Sequence, residues 1–203
     1  MKVIDKASNW ARGEVTSRFI NVKTGETFGP AQRHNVITYS AADIMAKLIG
    51  GYTEYTPAYM GFIYGTSTSV DPQPADPSVT RDHTWSTIAS QMAAAGTNIL
   101  VTPVISNPTI SIDGDYYTGN AITLRGQTSA RTEYAFPTAS PYAGELIDDG
   151  SDVMFQALLI TRLVSGSVIT YIPFARVSLA VGSVYQTKPA GFELALDWQV
   201  SFK

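Results

Sequence analysis

The chain has 203 residues, 44% of them hydrophobic and 15% charged, with a formal net charge of -3 and no cysteine. This balance excludes a disordered chain, and the lack of clustered Lys or Arg excludes sequence-independent phosphate binding, so nucleic acid is not an expected partner. Disulfides, thiolate nucleophiles and cysteine-ligated zinc fall away together, and no apolar run approaches the roughly 18–20 residues that span a bilayer, so no membrane is expected either.

Thr, Ser, Val, Tyr, Gly and Pro dominate over Lys and Glu, which predicts a mainly β protein with many turns. Residues 1–12 read as an N-terminal arm whose Trp10 docks on its own domain or on a neighbouring subunit, and residues 13–203 as a single domain. The start lacks a basic-then-apolar signal segment, so synthesis in a cytoplasm is expected.

In chain order, residues 14–22 predict a strand, and Lys23-Thr24-Gly25-Glu26 a hairpin turn with Gly25 in the left-handed position; Gly29-Pro30 is expected to stop the returning strand. An amphipathic helix follows near residues 40–49. Ser40 is its expected cap, Asp43 reaches back toward it, and Ala41, Ile44, Met45, Leu48 and Ile49 form its buried stripe; Lys47 suits the helix dipole and Gly50-Gly51 ends the helix.

Residues 59–64 predict a strand that runs into a Pro-rich loop at 65–80, where Pro72, Pro74 and Pro77 bar regular structure. A loop this long reads as a strap in contact with a neighbour. The Ala-rich residues 89–95 fit either a short helix or a turn. Strands are expected at 99–105, 109–112, 121–124 and 132–136, at the spacing of a sandwich. Residues 155–163 are apolar on both faces, with Phe155, Ala157, Leu159 and Leu163 opposite Leu158 and Ile160, which predicts a central strand.

The final stretch is the clearest. Phe192, Leu194, Leu196, Trp198, Val200 and Phe202 alternate with mostly polar residues, so one face of a strand enters a core. Residues 168–179 are its expected antiparallel partner, with Pro189 and Gly191 in the loop between them. The predicted fold is an antiparallel β-sandwich, jelly-roll-like, with one short helix.

No residue is assigned to catalysis, to a cofactor or to a metal, and the chain is not read as an enzyme. His34 and His83 have no second ligand at metal spacing, and there is no Gly-x-Ser-x-Gly elbow and no phosphate loop. Asp113-Gly114-Asp115 and Asp148-Asp149-Gly150 with Asp152 lack the spacing of a calcium loop and read as turns. Tyr52, Tyr55, Tyr59, Tyr116, Tyr117, Tyr134, Tyr142 and three tryptophans leave a carbohydrate-binding, receptor-binding module as an alternative from another class, although tyrosines in a β protein more often pack half-buried.

Three stretches resemble a loose group of tailed-bacteriophage virion proteins, the tail or minor structural proteins. His34-Asn35-Val36-Ile37-Thr38 with the helix that ends at Gly50-Gly51 is similar to that group's lead-in and small helix. Met60-Gly61-Phe62-Ile63-Tyr64-Gly65-Thr66-Ser67-Thr68 resembles its strand and Gly-Thr-Gly-Thr loop, with Ser67 where a second Gly is usual. Phe174-Ala175-Arg176-Val177, Lys188-Pro189 and the strand around Trp198 resemble its closing strands. The resemblance implies a β-sandwich that assembles symmetrically with itself and with other virion proteins, made in the host cytoplasm and located in the virion. It implies a place in the tail, the tail-fibre attachment or the head-tail region, with head decoration or collar as the alternative; a host-surface glycan is the further partner that the carbohydrate-binding alternative would bring.

Overall fold

The structure, a computed structural model, describes residues 11–66, 68–71, 84–104, 109–112, 120–127, 152–180 and 184–202. In chain order these form β1 (Ala11–Asn21), β2 (Thr27–His34), β3 (Val36–Ile37), α1 (Tyr39–Ile49), a 3-10 turn (Thr53–Tyr55), β4 (Tyr59–Gly65), α2 (Trp85–Ala95), β5 (Asn98–Pro103), β6 (Thr109–Ile112), β7 (Asn120–Gln127), β8 (Val153–Ser165), β9 (Val168–Ser178), β10 (Gln186–Thr187) and β11 (Phe192–Phe202). One sheet has the order β2-β1-β11-β7-β6, the other β3-β9-β8-β4-β5 with β10 beside β8, and every pairing between these strands is antiparallel. The expected mainly β sandwich is the fold.

Alternation along β11 places Leu194, Leu196, Trp198 and Val200 in the core between the sheets, with Phe192 partly buried against it. They meet Val15 and Phe19 of β1 and, from the facing sheet, Met60, Phe62, Leu159, Phe174 and Val177. Full burial of side chains this large contributes about 1.5–3 kcal/mol each, an upper estimate. The side chain of Phe202 lies outside the described ones.

The partner expected for β11 is corrected. β11 pairs with β1 through the whole strand, Val15 opposite Trp198 and Phe19 opposite Leu194, and with β7 on its other side, whereas β9 pairs with β8 and β3. The two strands belong to different sheets and face each other across the core. The chain between them crosses from one sheet to the other, adding β10 to β8 on the way, and turns at Gly191, whose φ of 75° favours glycine.

Gly29-Pro30 does not stop β2. The register slips so that Ser17 opposes Ala31 and Phe19 opposes Phe28, leaving Gly29 (φ 71°) and Pro30 in a bulge. β2 pairs only with β1 among the described strands, so a residue without an N–H is tolerated there. β8 is central as expected, but a bulge between Ile63 and Tyr64 of β4 sets Gln156 opposite one and Met154 opposite the other. Phe155 is therefore turned to the outer face with Leu158 and Ile160, instead of the inner face with Ala157 and Leu159.

Helix α1 starts one residue before the expected cap. Thr38 is the N-cap, and its hydroxyl donates to the carbonyls of Pro173 (2.6 Å) and Phe174 (3.1 Å), so the position ties the helix to β9 and caps no amide. Ser40 lies inside the helix, and no acidic residue serves its first turn. Ala41 and Ile44 are buried and Met45 and Leu48 partly so, but Ile49 is 84% exposed, because it falls past the edge of the stripe. A second helix, α2, occupies the residues that fitted either helix or turn. Thr84 caps it by accepting from the Thr87 N–H (3.2 Å), and Gly96 ends it in the left-handed conformation, φ 65°. Ile88 and Met92 of α2 pack on the outer face of the second sheet against Ile63, Ile99, Leu158 and Ile160. Gly61 makes room there, since a Cβ on it would lie 2.8 Å from the δ-methyl groups of both Ile99 and Ile160.

Candidate functional site

The outer face of the second sheet carries the side-chain chemistry that the cores do not explain. Leu158 pairs with Arg176 and Arg162 with Tyr171 across β8 and β9, while Tyr59 of β4 pairs with Ile160. Side chains of one face recur every second residue, so these positions line a single row from Gln156 at one end to Arg162 at the other, with α2 lying over it.

At the first end, Arg176 is 1% exposed and Gln156 is fully buried. Arg176 Nε donates to Gln156 Oε1, and Gln156 Nε2 donates to Asp71 Oδ1; the Tyr185 hydroxyl donates to Asp71 Oδ2, and Arg176 Nη1 donates to Gln91 Oε1 of α2 at 3.5 Å. Burial pulls the guanidinium of Arg176 down to about 10, against the upward pull of the Asp71 carboxylate. Burial and the bond to Asp71 push the Tyr185 phenol up to about 12. The same loop is tied to the end of α2: Ser69 Oγ donates to the Gly96 carbonyl (2.8 Å) and the Val70 N–H to the Ala95 carbonyl (3.4 Å). These bonds satisfy carbonyls that a helix C-terminus leaves without partners. The arrangement is a clamp that fixes Ser69, Val70 and Asp71 to helix and sheet.

At the other end lies an aromatic shelf. The Arg162 guanidinium sits 5.4 Å from the centroid of the Tyr59 ring, and its Nη1 donates to the Tyr59 hydroxyl at 3.3 Å. Trp85, the first residue of α2, packs on Tyr171 with ring centroids 4.7 Å apart at 44°. Arg162 is held above its ordinary range chiefly by the Tyr59 hydroxyl, against a smaller opposing effect of burial, and Tyr171 adds to the rise. A second group lies at the end of α1, where Lys47 Nζ stands 5.5 Å from the Tyr52 ring centroid and 5.7 Å from that of Tyr55. The Thr161 hydroxyl donates to the Tyr55 carbonyl (2.7 Å), which joins the 3-10 turn to β8 beside Arg162.

Of the aromatic residues weighed for sugar contact, the structure brings Tyr52 and Tyr55 together and sets Tyr59 beside Arg162; Tyr116, Tyr117, Tyr134 and Tyr142 lie outside the described residues. Trp198 is core. Trp10, Pro72, Pro74 and Pro77, singled out for assembly contacts, also lie outside the described residues, as do His83, the two acidic turns apart from Asp152, and the strand expected at 132–136. Among the described residues no three His, Cys, Asp or Glu side chains group as metal ligands, and no helix is long and apolar enough to cross a membrane. Sequence reasoning missed Asp71, Gln156, Arg176 and Arg162. Arg162 and Arg176 were legible only as cations inside runs of apolar strand residues, a signal that points to partnered burial without saying with what.

The fold and these two groups define an antiparallel β-sandwich with a helix on one outer face, a buried polar clamp and a cationic aromatic shelf. No protein-family model, curated protein or solved structure matches the chain.

Proposed function

We propose that the chain is a bacteriophage virion structural protein that assembles symmetrically with itself and with other virion proteins, in the tail, the tail-fibre attachment or the head-tail region. The observation that carries this reading is the tip of the β8–β9 hairpin. Val164 is 59% and Val168 62% exposed; Val164 opposes Ile169 and Val168 opposes Ser165, which puts the two valines on opposite faces of the ribbon. A ribbon wet on both faces projects from the sandwich body, and apolar side chains on such a projection suit insertion against a second copy. Ile49 and Val184, 84% and 67% exposed, add apolar surface elsewhere. The resemblance of the β3–α1, β4 and β11 stretches to tail and minor structural proteins supplies the virion setting, and head decoration or a collar position fits the same features.

The test is the assembly state of the purified chain by analytical ultracentrifugation and negative-stain microscopy. Rings or defined oligomers are expected, and the pair V164D and V168D is expected to return them to monomers with an unchanged melting temperature. A chain that stays monomeric at all concentrations and does not cofractionate with particles refutes the reading. A second reading, contact with a host-surface glycan, is favoured by one specific observation, the Tyr59–Arg162 shelf with Trp85 packed on the neighbouring Tyr171.

A further inference from the structure

The shelf carries more than its aromatic character. Arg162 is half-buried, yet no carboxylate among the described residues forms an ion pair with it, and its electrostatic partners are the tyrosines 59 and 171. The contrast with the other cations is direct: Arg18 pairs with Asp197 at 2.5 Å, and Arg176 reaches Asp71 through Gln156. A guanidinium laid over a phenol ring and fixed by that ring's own hydroxyl has lost much of its rotational freedom. Its remaining N–H groups form a planar fork that matches a carboxylate in bidentate geometry. Beside it stands the half-exposed ring of Tyr59, and the half-exposed Trp85 packs on Tyr171, the residue opposite Arg162 across β8 and β9; aromatic side chains of this kind, apolar with a polar end, are the surface on which the C–H face of a pyranose packs.

We propose that Tyr59, Trp85 and Arg162 form a binding site for an acidic saccharide, with the sugar ring packed against the parts of the two aromatic side chains that Arg162 and Tyr171 leave exposed and its carboxylate on the Arg162 guanidinium. This site rests on the glycan-contact reading and not on the assembly reading. A single fixed guanidinium suits a ligand with one carboxylate per sugar. A nucleic acid strand would stack on the same rings, but it needs a cationic track that a chain of net charge -3 without clustered Lys or Arg does not offer.

The experiment titrates the full chain with tetragalacturonate, with a neutral galactose tetrasaccharide and with an eight-residue oligothymidylate, followed by calorimetry and by tryptophan fluorescence. The acidic sugar is expected to bind about tenfold more tightly than the neutral one, the fold-change of one charge-assisted contact, and more weakly as salt is raised. R162L is expected to remove that preference while the melting temperature and the assembly state stay as in the unaltered chain. Equal affinity for the two sugars, no binding of either, tighter binding of the oligothymidylate, or an acid preference that survives in R162L each overturns the proposal. The comparison of the two sugars on the unaltered chain decides the matter even if R162L fails to fold, and the assembly measurement above is read separately.

Discussion

Trp198 offers the sharpest test of the fold. It is fully buried at the centre of β11, opposite Val15 on one side and Leu124 on the other, and its indole Nε1 has no hydrogen-bond acceptor among the described residues. Trp198→Ala removes a large aromatic from between two sheets that relax only in part, and is expected to cost about 3–5 kcal/mol. Trp198→Phe is different in kind. It forfeits about two buried carbons, roughly 1.6 kcal/mol at about 0.8 kcal/mol each. It also removes a buried donor without a partner, whose desolvation costs about 1–3 kcal/mol. The two terms nearly cancel, between about 0.6 kcal/mol of loss and about 1.4 kcal/mol of gain, so Trp198→Phe is expected within about 1.5 kcal/mol of the unaltered chain, an unusually small change for a central core residue. Guanidinium unfolding followed by far-UV circular dichroism measures both, with the slope compared to confirm that the unfolded states are alike. If Trp198→Phe costs more than about 3 kcal/mol, the indole N–H is bonded and the core around β11 is arranged otherwise.

The remaining predictions concern the clamp and one close approach. Asp71→Ala leaves the buried Arg176 and Gln156 without their anion and is expected to cost about 1.5–3 kcal/mol, whereas Arg18→Ala, whose ion pair with Asp197 is more than a quarter exposed on both sides, is expected to cost less than about 1 kcal/mol; chemical denaturation compares them. A Cβ on Gly13 would lie 1.8 Å from Asn35 Oδ1, so Gly13→Ala is expected to destabilise by about 1–3 kcal/mol. The Asn35 amide is itself buried with no partner among the described residues, so Asn35→Ala is expected to be neutral or stabilising and to relieve the Gly13→Ala defect; additive losses in the double variant would refute the contact. Tyr185, an acid whose pKa rises to about 12 on folding, contributes stability below pH 10 that is lost as pH climbs from about 10 toward 12. Phenol absorbance at 295 nm is expected to show a late-titrating group that is missing in Tyr185→Phe, and an identical titration of the two proteins would contradict the bond to Asp71.

Local pattern was sufficient for the elements whose side chains repeat. The period of two in residues 192–200 and the doubly apolar run of β8 predict a buried face and a central strand, since a strand's faces are set by neighbours in sequence. Gly25 at φ 70° and Gly50-Gly51 after α1 were legible for the same reason, as turn and helix ends depend on the residues that make them. What the sequence could not decide was which strand lies beside which. β9 and β11 have equally good patterns for pairing, and only the packing of β11 between β1 and β7 sends them to opposite sheets. The bulges at Gly29-Pro30 and at Phe155 turn side chains by a one-residue slip that period alone cannot register. The clamp and the shelf were hidden more deeply. Asp71 is joined to Arg176 through Gln156 across 105 positions and Tyr59 meets Arg162 across 103, links made by the order of strands in a sheet and by the loop that folds over it, and by no local preference of the chain.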